Sequence, residues 1–274
     1  MLISYLEETD AMFLRLILLA AAATLALFGQ DFGTNKRAPR APQGQPTPRR
    51  ADGKPDFSGV YHAPGYGPGD PRSKTGEGYA HNIARDMNPG DVPMLPWAAK
   101  LYKERFENES KDDPEGFCLP MGTPRVNPYP WKIVQADKLV VILYEGNVHS
   151  YRQVFLDGRS HDKDVIETWW GDSIGHWDGD TLVVDTVGMN DRVWLDADGH
   201  PRTNKAHIIE RFARPELGKM VIDITIDDPG AYSKPWSVHE VAQLAPGWEI
   251  MENICNENQD EHGNNLDVQH LVGK

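Results

Sequence analysis

Residues 171–188 read GDSIGHWDGDTLVVDTVG. Asp178-Gly179, set between Trp177 and the apolar-rich run Asp180–Val187, is the strongest hairpin signal in the chain, because Asp-Gly suits a two-residue type I′ turn. Within that run Thr181, Val183, Asp185 and Val187 share one face by period-two alternation. The same grammar extends outward in both directions. WKIVQ (131–135), KLVVILYE (138–145), VHSYRQVFL (148–156), DVIETWW (164–170), AHIIERFAR (206–214), KMVIDITID (219–227), WSVHEVAQL (236–244) and WEIMENIC (248–255) are short runs rich in β-branched and aromatic residues. Asp157-Gly158, Asp198-Gly199, Pro229-Gly230 and Pro246-Gly247 supply turn chemistry. Such a series predicts a mostly β fold, an antiparallel meander closing into a lipocalin-like barrel, because closure removes exposed edges. A two-sheet β-sandwich is the alternative.

Upstream, PDFSGVYHAPGYG predicts a short strand at 57–62, and residues 63–94 read as a Gly-, Pro- and Asp-rich excursion. Pro96 then opens a helix with Trp97, Leu101, Tyr102 and Phe106 on one stripe, ending near Asn108. No second long helix is visible.

The N-terminus has the layout of an export signal: Arg15, then an apolar run from Leu16 to Phe28, then small or polar residues. The run is shorter than the roughly 20 residues that cross a bilayer. The acidic stretch MLISYLEETDA before it is unlike a signal start, so translation is expected to begin at Met12. The expected organisation is a signal peptide at 1–29, a disordered, basic, Pro-rich tether at 30–54, and one barrel domain at 55–274. The chain is expected to be periplasmic or extracellular, with no stable membrane span after cleavage. Its 274 residues carry a net charge of −13. Residues 1–29 hold one basic and three acidic residues and residues 30–54 six and two, which leaves −15 on residues 55–274. That balance argues against a nucleic-acid binder relying on overall positive charge, and no nucleic-acid partner is expected. Cys118 and Cys255 are the only cysteines. In an oxidising compartment they read as a disulfide, with two buried thiols or a catalytic thiol as the other readings.

YRQVFLDGRSH (151–161), residues 171–191, ERFAR (210–214), TIDDPGAYSKPW (225–236) and ENICNEN (252–258) together resemble a widespread family of exported bacterial proteins. Its pattern is R-x-I-F-x-D-G-R-x-H, S-x-G-x-W-x-G-D-T-L-V-V-D-T, E-R-F, D-P-x-x-Y-x-x-P-W and E-x-x-C-x-E-N. Val154 stands where the pattern has Ile, and Met189 where it has an aromatic. The resemblance spans residues 55–274 and implies one exported domain, without implying a chemistry.

Gly171-Asp172-Ser173-Ile174-Gly175 matches G-x-S-x-G, but a hairpin follows where a nucleophile elbow needs a helix. No nucleotide-binding fingerprint or short-spaced metal motif is present. No cofactor is therefore expected, except that Zn²⁺ or Fe²⁺ held by the strand histidines His149, His207 and His239 is a reading the spacing allows. Polar residues inside apolar strands are more informative. Arg152 shares a face with Val148, Ser150, Val154 and Leu156, and His149, Tyr151, Gln153 and Phe155 share the other. Glu210 lies with Ile208 and Phe212, and Arg211 with His207, Ile209 and Ala213. A charge among apolar neighbours needs a partner if its face is interior. Arg152, Asp185, Glu210 and Arg211 therefore read as a buried ion-pair network or as the lining of a cavity. Asp185, Glu210 and His161 are the candidate acid/base residues. Arg152, Tyr151, His149, Arg211 and Trp170 are the candidate ligand contacts. The function expected is an exported barrel binding a small hydrophobic or aromatic ligand. The alternatives are a cofactor-independent hydratase, lyase or isomerase on the same barrel, and a cell-envelope structural or interaction module. The oligomeric state is not legible.

Overall fold

The computed structural model describes residues 44–63, 82–88, 90–125, 129–146 and 150–255. The expected export signal, the first part of the tether, His149 and the chain after Cys255 lie outside the described residues. Nine strands form a closed barrel in sequence order: β1 (Gly59–His62), β2 (Trp131–Gln135), β3 (Leu139–Tyr144), β4 (Ser150–Phe155), β5 (Asp172–Asp178), β6 (Thr181–Val187), β7 (His207–Glu216), β8 (Lys219–Asp227) and β9 (Trp236–Leu244). Closure comes from β1, which pairs with β2 on one side and with β9 on the other, through Tyr61↔Leu244 and His62↔Gln243. Alternation points Trp131, Ile133, Val140, Ile142, Val154, Val184, Ile208, Ile222, Ile224 and Val238 inward, all buried. The chain is mostly β, a lipocalin-like barrel with one α-helix among the described residues.

The hairpin at 178–181 forms, but with a different turn. Asp178 pairs with Thr181, so the loop residues are Gly179 and Asp180. Gly179 has φ +61° and Asp180 has no positive φ. Positive φ at the first loop position alone is the type II′ arrangement, the one that Gly followed by any residue satisfies.

Two of the nine strands expected after residue 130 do not form, and the meander is not purely antiparallel. DVIETWW is not a strand. Pairing of β4 with β5 is parallel, Val154↔Ser173 and Phe155↔Ile174, so the chain must return along the barrel before β5 begins. Residues 156–171 make that return over the outer wall, and Ile166 there is 83% exposed. WEIMENIC is also irregular, because β1 already occupies the free edge of β9. The short strand expected at 57–62 forms as β1, and β5, the GDSIGHW stretch before the hairpin, completes the barrel.

The two ends are closed by different pieces of chain. At the lower end, where the turns after β2, β5 and β7 lie, residues 44–54 cross the hairpin tips. Leu217 N–H donates to Gln45 O at 2.8 Å, Arg49 pairs with Asp180, and Arg50 Nη2 reaches Asp137 at 2.7 Å. This part of the expected tether is therefore bound to the barrel, because its arginines meet carboxylates at the hairpin tips. At the upper end sits α1 (Pro96–Glu107), at the predicted position. Its expected apolar stripe is not its buried face. Trp97 and Phe106 are exposed, whereas Ala98 is buried and Leu101, Tyr102 and Arg105 are partly covered. The helix docks through polar and ring contacts instead. Trp97 Nε1 donates to Gly230 O at 3.0 Å, Arg105 Nη1 to Gly199 O at 3.1 Å, and Tyr102 lies 4.2 Å from the His200 ring.

Cys118 and Cys255 are joined in a disulfide across 137 positions. Among the described residues no helix is long and apolar enough to cross a membrane.

Candidate functional site

The inward position at the middle of β4 is Arg152, the most polar side chain in an apolar interior and only 2% exposed. Its Nη2 donates to Glu210 Oε2 at 2.5 Å, on β7, and to Thr186 Oγ1 at 2.6 Å, on β6. Its Nε donates to Ser173 Oγ at 2.9 Å, on β5. Four strands thus meet on one guanidinium. Ser173, the serine of the G-x-S-x-G match, is spent on this network and is buried inside a strand. Burial works against the Arg152 charge, but the Glu210 carboxylate and the neighbouring Tyr144 hydroxyl outweigh it and hold its pKa above the ordinary arginine value. Burial raises the Tyr144 hydroxyl well above its usual pKa.

Glu240 on β9 is the second interior carboxyl, 4% exposed. Burial first, and then the charge of Glu210, push its pKa up to about 8, so it is protonated at neutral pH. Among the described residues at the barrel centre, the Arg152 cation is thus set against the Glu210 anion, with Glu240 as a neutral acid.

A cavity opens at this centre. Pro124, Trp131, Ile142, Arg152, Glu210, Phe212, Ile222, Ile224 and Glu240 line it, and it has space for about one water. Two of the lining side chains carry donors without an acceptor, Arg152 Nη1 and Trp131 Nε1. The Tyr144 hydroxyl, beside the Arg152 guanidinium, has no partner at hydrogen-bonding geometry either. Trp170 stacks flat on the Tyr144 ring, 4.2 Å between centroids at 5°. Trp170 thus stands behind Tyr144 and is not part of the cavity wall.

Asp185 is not in the interior. It points outward from β6, opposite to Thr186, and belongs to a separate chain of hydrogen bonds under the 156–171 return. His161 Nδ1 lies 2.7 Å from Asp172 and its Nε2 3.1 Å from Asp185; His207 Nε2 lies 2.7 Å from the same Asp185 oxygen. Burial works to lower the His161 pKa, but the bonds to Asp172 and Asp185 and their charges prevail and raise it. The sequence-derived pair Asp185 and His161 is therefore brought together, while Asp185 and Glu210 are separated by the barrel wall. The four-member buried network is reduced to Arg152–Glu210. Arg211 points outward to Asp178 at 2.8 Å, and Tyr151 is 61% exposed, because both sit on the face opposite to their inward neighbours Glu210 and Arg152. Of the strand histidines, His207 is bound to Asp185 and His239 to Asp223, both on the outer face and separated by β8. Among the described residues no group of three or more His, Cys, Asp or Glu is placed to hold a metal ion.

Glu240, Tyr144 and Trp131 were missed from the sequence. Glu240 had a readable signal, being the lone carboxylate on the Trp236, Val238, Ala242 face of its strand. Tyr144 and Trp131 had none, since aromatic residues are ordinary barrel lining. Comparisons with protein-family models, with curated proteins and with solved structures find no match to this chain.

Proposed function

We propose that this chain is an exported barrel that binds a small, oxygen-bearing organic ligand in its interior. The observation that carries the reading is that two side chains lining one cavity carry buried donors without an acceptor, Arg152 Nη1 and Trp131 Nε1. Buried polar atoms are almost always satisfied, so donors grouped in this way mark a place for an acceptor. A carbonyl, hydroxyl or carboxylate oxygen fits that requirement, and Ile142, Phe212, Ile222 and Ile224 suit an apolar body beside it. Export is supported by the Cys118–Cys255 disulfide, a bond of oxidising compartments, and by the resemblance to exported proteins.

A second reading, acid/base catalysis on the bound molecule, is favoured by Glu240. A carboxyl with a pKa of about 8 is a general acid poised near neutrality, and it lines the same cavity as the Arg152 donor that would polarise a carbonyl.

Native mass spectrometry of protein isolated from its source tests the binding reading. The wild type should carry a small non-covalent adduct, and Ile222→Phe, which fills the cavity, should lose it. A bare wild-type mass, or an adduct retained by the filled variant, refutes interior binding.

A further inference from the structure

Four arginines among the described residues are buried, and three have partners. Arg125 is paired with Asp113 and Glu115, Arg152 with Glu210, and Arg214 donates to the carbonyls of Asp56 and Leu217. Arg202, on the segment between β6 and β7 at the upper end, is the exception. It is 3% exposed, and Nε, Nη1 and Nη2 all lack a hydrogen-bond partner. Asp228, whose charge acts on it, is already occupied. That carboxylate accepts from Thr203 N–H at 2.7 Å, Thr203 Oγ1 at 2.5 Å and Gly230 N–H at 3.0 Å. Asp191, the other carboxylate whose charge reaches it, is exposed. Burial outweighs both and lowers the Arg202 pKa to about 10, which still leaves the guanidinium charged at neutral pH.

A buried, charged fork with no acceptor is among the least favourable arrangements a fold can hold. The same end of the barrel contains a second such donor, Trp236 Nε1. Trp236 packs 5.2 Å from the ring of Tyr232, whose hydroxyl donates to the carbonyl of Pro201, the residue before Arg202. Arg202 does not line the Arg152 cavity.

We propose that Arg202 anchors a second ligand site, separate from the barrel interior, for a small oxyanion: a carboxylate or phosphate group whose paired oxygens meet the guanidinium fork.

Thermal denaturation of the full chain in acetate, inorganic phosphate and chloride, at matched pH and ionic strength, tests this. A ligand that binds only the folded state raises the midpoint with concentration. The wild-type midpoint should rise in acetate or phosphate relative to chloride, and the larger of the two responses identifies carboxylate or phosphate as the preferred group. Arg202→Met should lose the part of the oxyanion response that exceeds the general salt effect, with a midpoint in chloride at or above the wild-type value, because it removes a buried charge without an acceptor. Equal anion responses in wild type and variant, or no anion-specific rise in the wild type, overturn the proposal. Should Arg202→Met not fold, the guanidinium ¹⁵N–¹H resonance of Arg202 in the wild type decides: a saturable displacement on adding either oxyanion supports the site, and an unmoved resonance overturns it.

Discussion

Glu240→Gln exchanges a buried acid for a neutral amide of the same shape, and its effect on stability should depend on pH in a defined way. The Glu240 carboxyl titrates at 4.5 in its reference state and at about 8 in the folded barrel. Between these values the folded chain holds a proton that the unfolded chain releases. Stability from this group is therefore fully present below pH 4.5 and falls as pH rises toward 8, the direction for an acid whose folded pKa is raised. At roughly 1.4 kcal/mol for each pH unit of displacement, the loss is on the order of 3–5 kcal/mol, the upper figure holding for an interior that admits no water. The glutamine variant lacks this slope. Urea denaturation of both proteins from pH 4.5 to 8.5 at constant ionic strength, analysed as the difference between them, isolates Glu240 from every other titrating group. Glu240→Gln should gain on the wild type steadily across that range and level off above pH 8. A difference that stays constant with pH refutes the assignment of a neutral, buried acid at the barrel centre.

Glu210→Gln should cost about 3–5 kcal/mol by denaturation, because it leaves the Arg152 charge buried without its carboxylate. Arg152→Met added to it should recover most of that loss. Reducing the Cys118–Cys255 disulfide should remove on the order of 5 kcal/mol in the chain-entropy account, read as a lowered urea midpoint. Asp185→Asn should lower the His161 pKa, followed by its imidazole NMR resonances, without altering ligand retention, since the two lie outside the barrel wall. Tyr151→Ala should change stability by no more than about 0.5 kcal/mol and leave the adduct in place, as expected of an exposed side chain.

The barrel was legible because its strands announce themselves locally. Seven of the expected runs, from WKIVQ to WSVHEVAQL, either match a strand or fall in one when the hairpin is read with its preceding half. The failures arise where a local pattern competes with a non-local demand. DVIETWW has strand composition, but the parallel pairing of β4 with β5 requires a return crossing, and that segment is the only chain available to make it. The arginines of residues 44–54 look like a solvated tether until Asp137 and Asp180 appear at the tips of distant hairpins. The site was half legible for a related reason. Alternation correctly separated Arg152 from Tyr151 and Glu210 from Arg211, but it does not say which face is the inside. On β6 both faces are apolar, because the outer one is covered by the 156–171 return. Asp185 accordingly reads as interior from the sequence, whereas it faces His161 and His207 outside.

Interior binding requires that the donors around the central cavity receive an acceptor from a bound molecule. The most direct measurement compares the ¹⁵N–¹H resonances of the Trp131 indole and the Arg152 guanidinium in protein isolated natively with those in the same protein after unfolding, dialysis and oxidative refolding. Interior binding predicts that both resonances move when the ligand is stripped and return when the small-molecule extract is added back. Identical resonances in the native and refolded proteins contradict it.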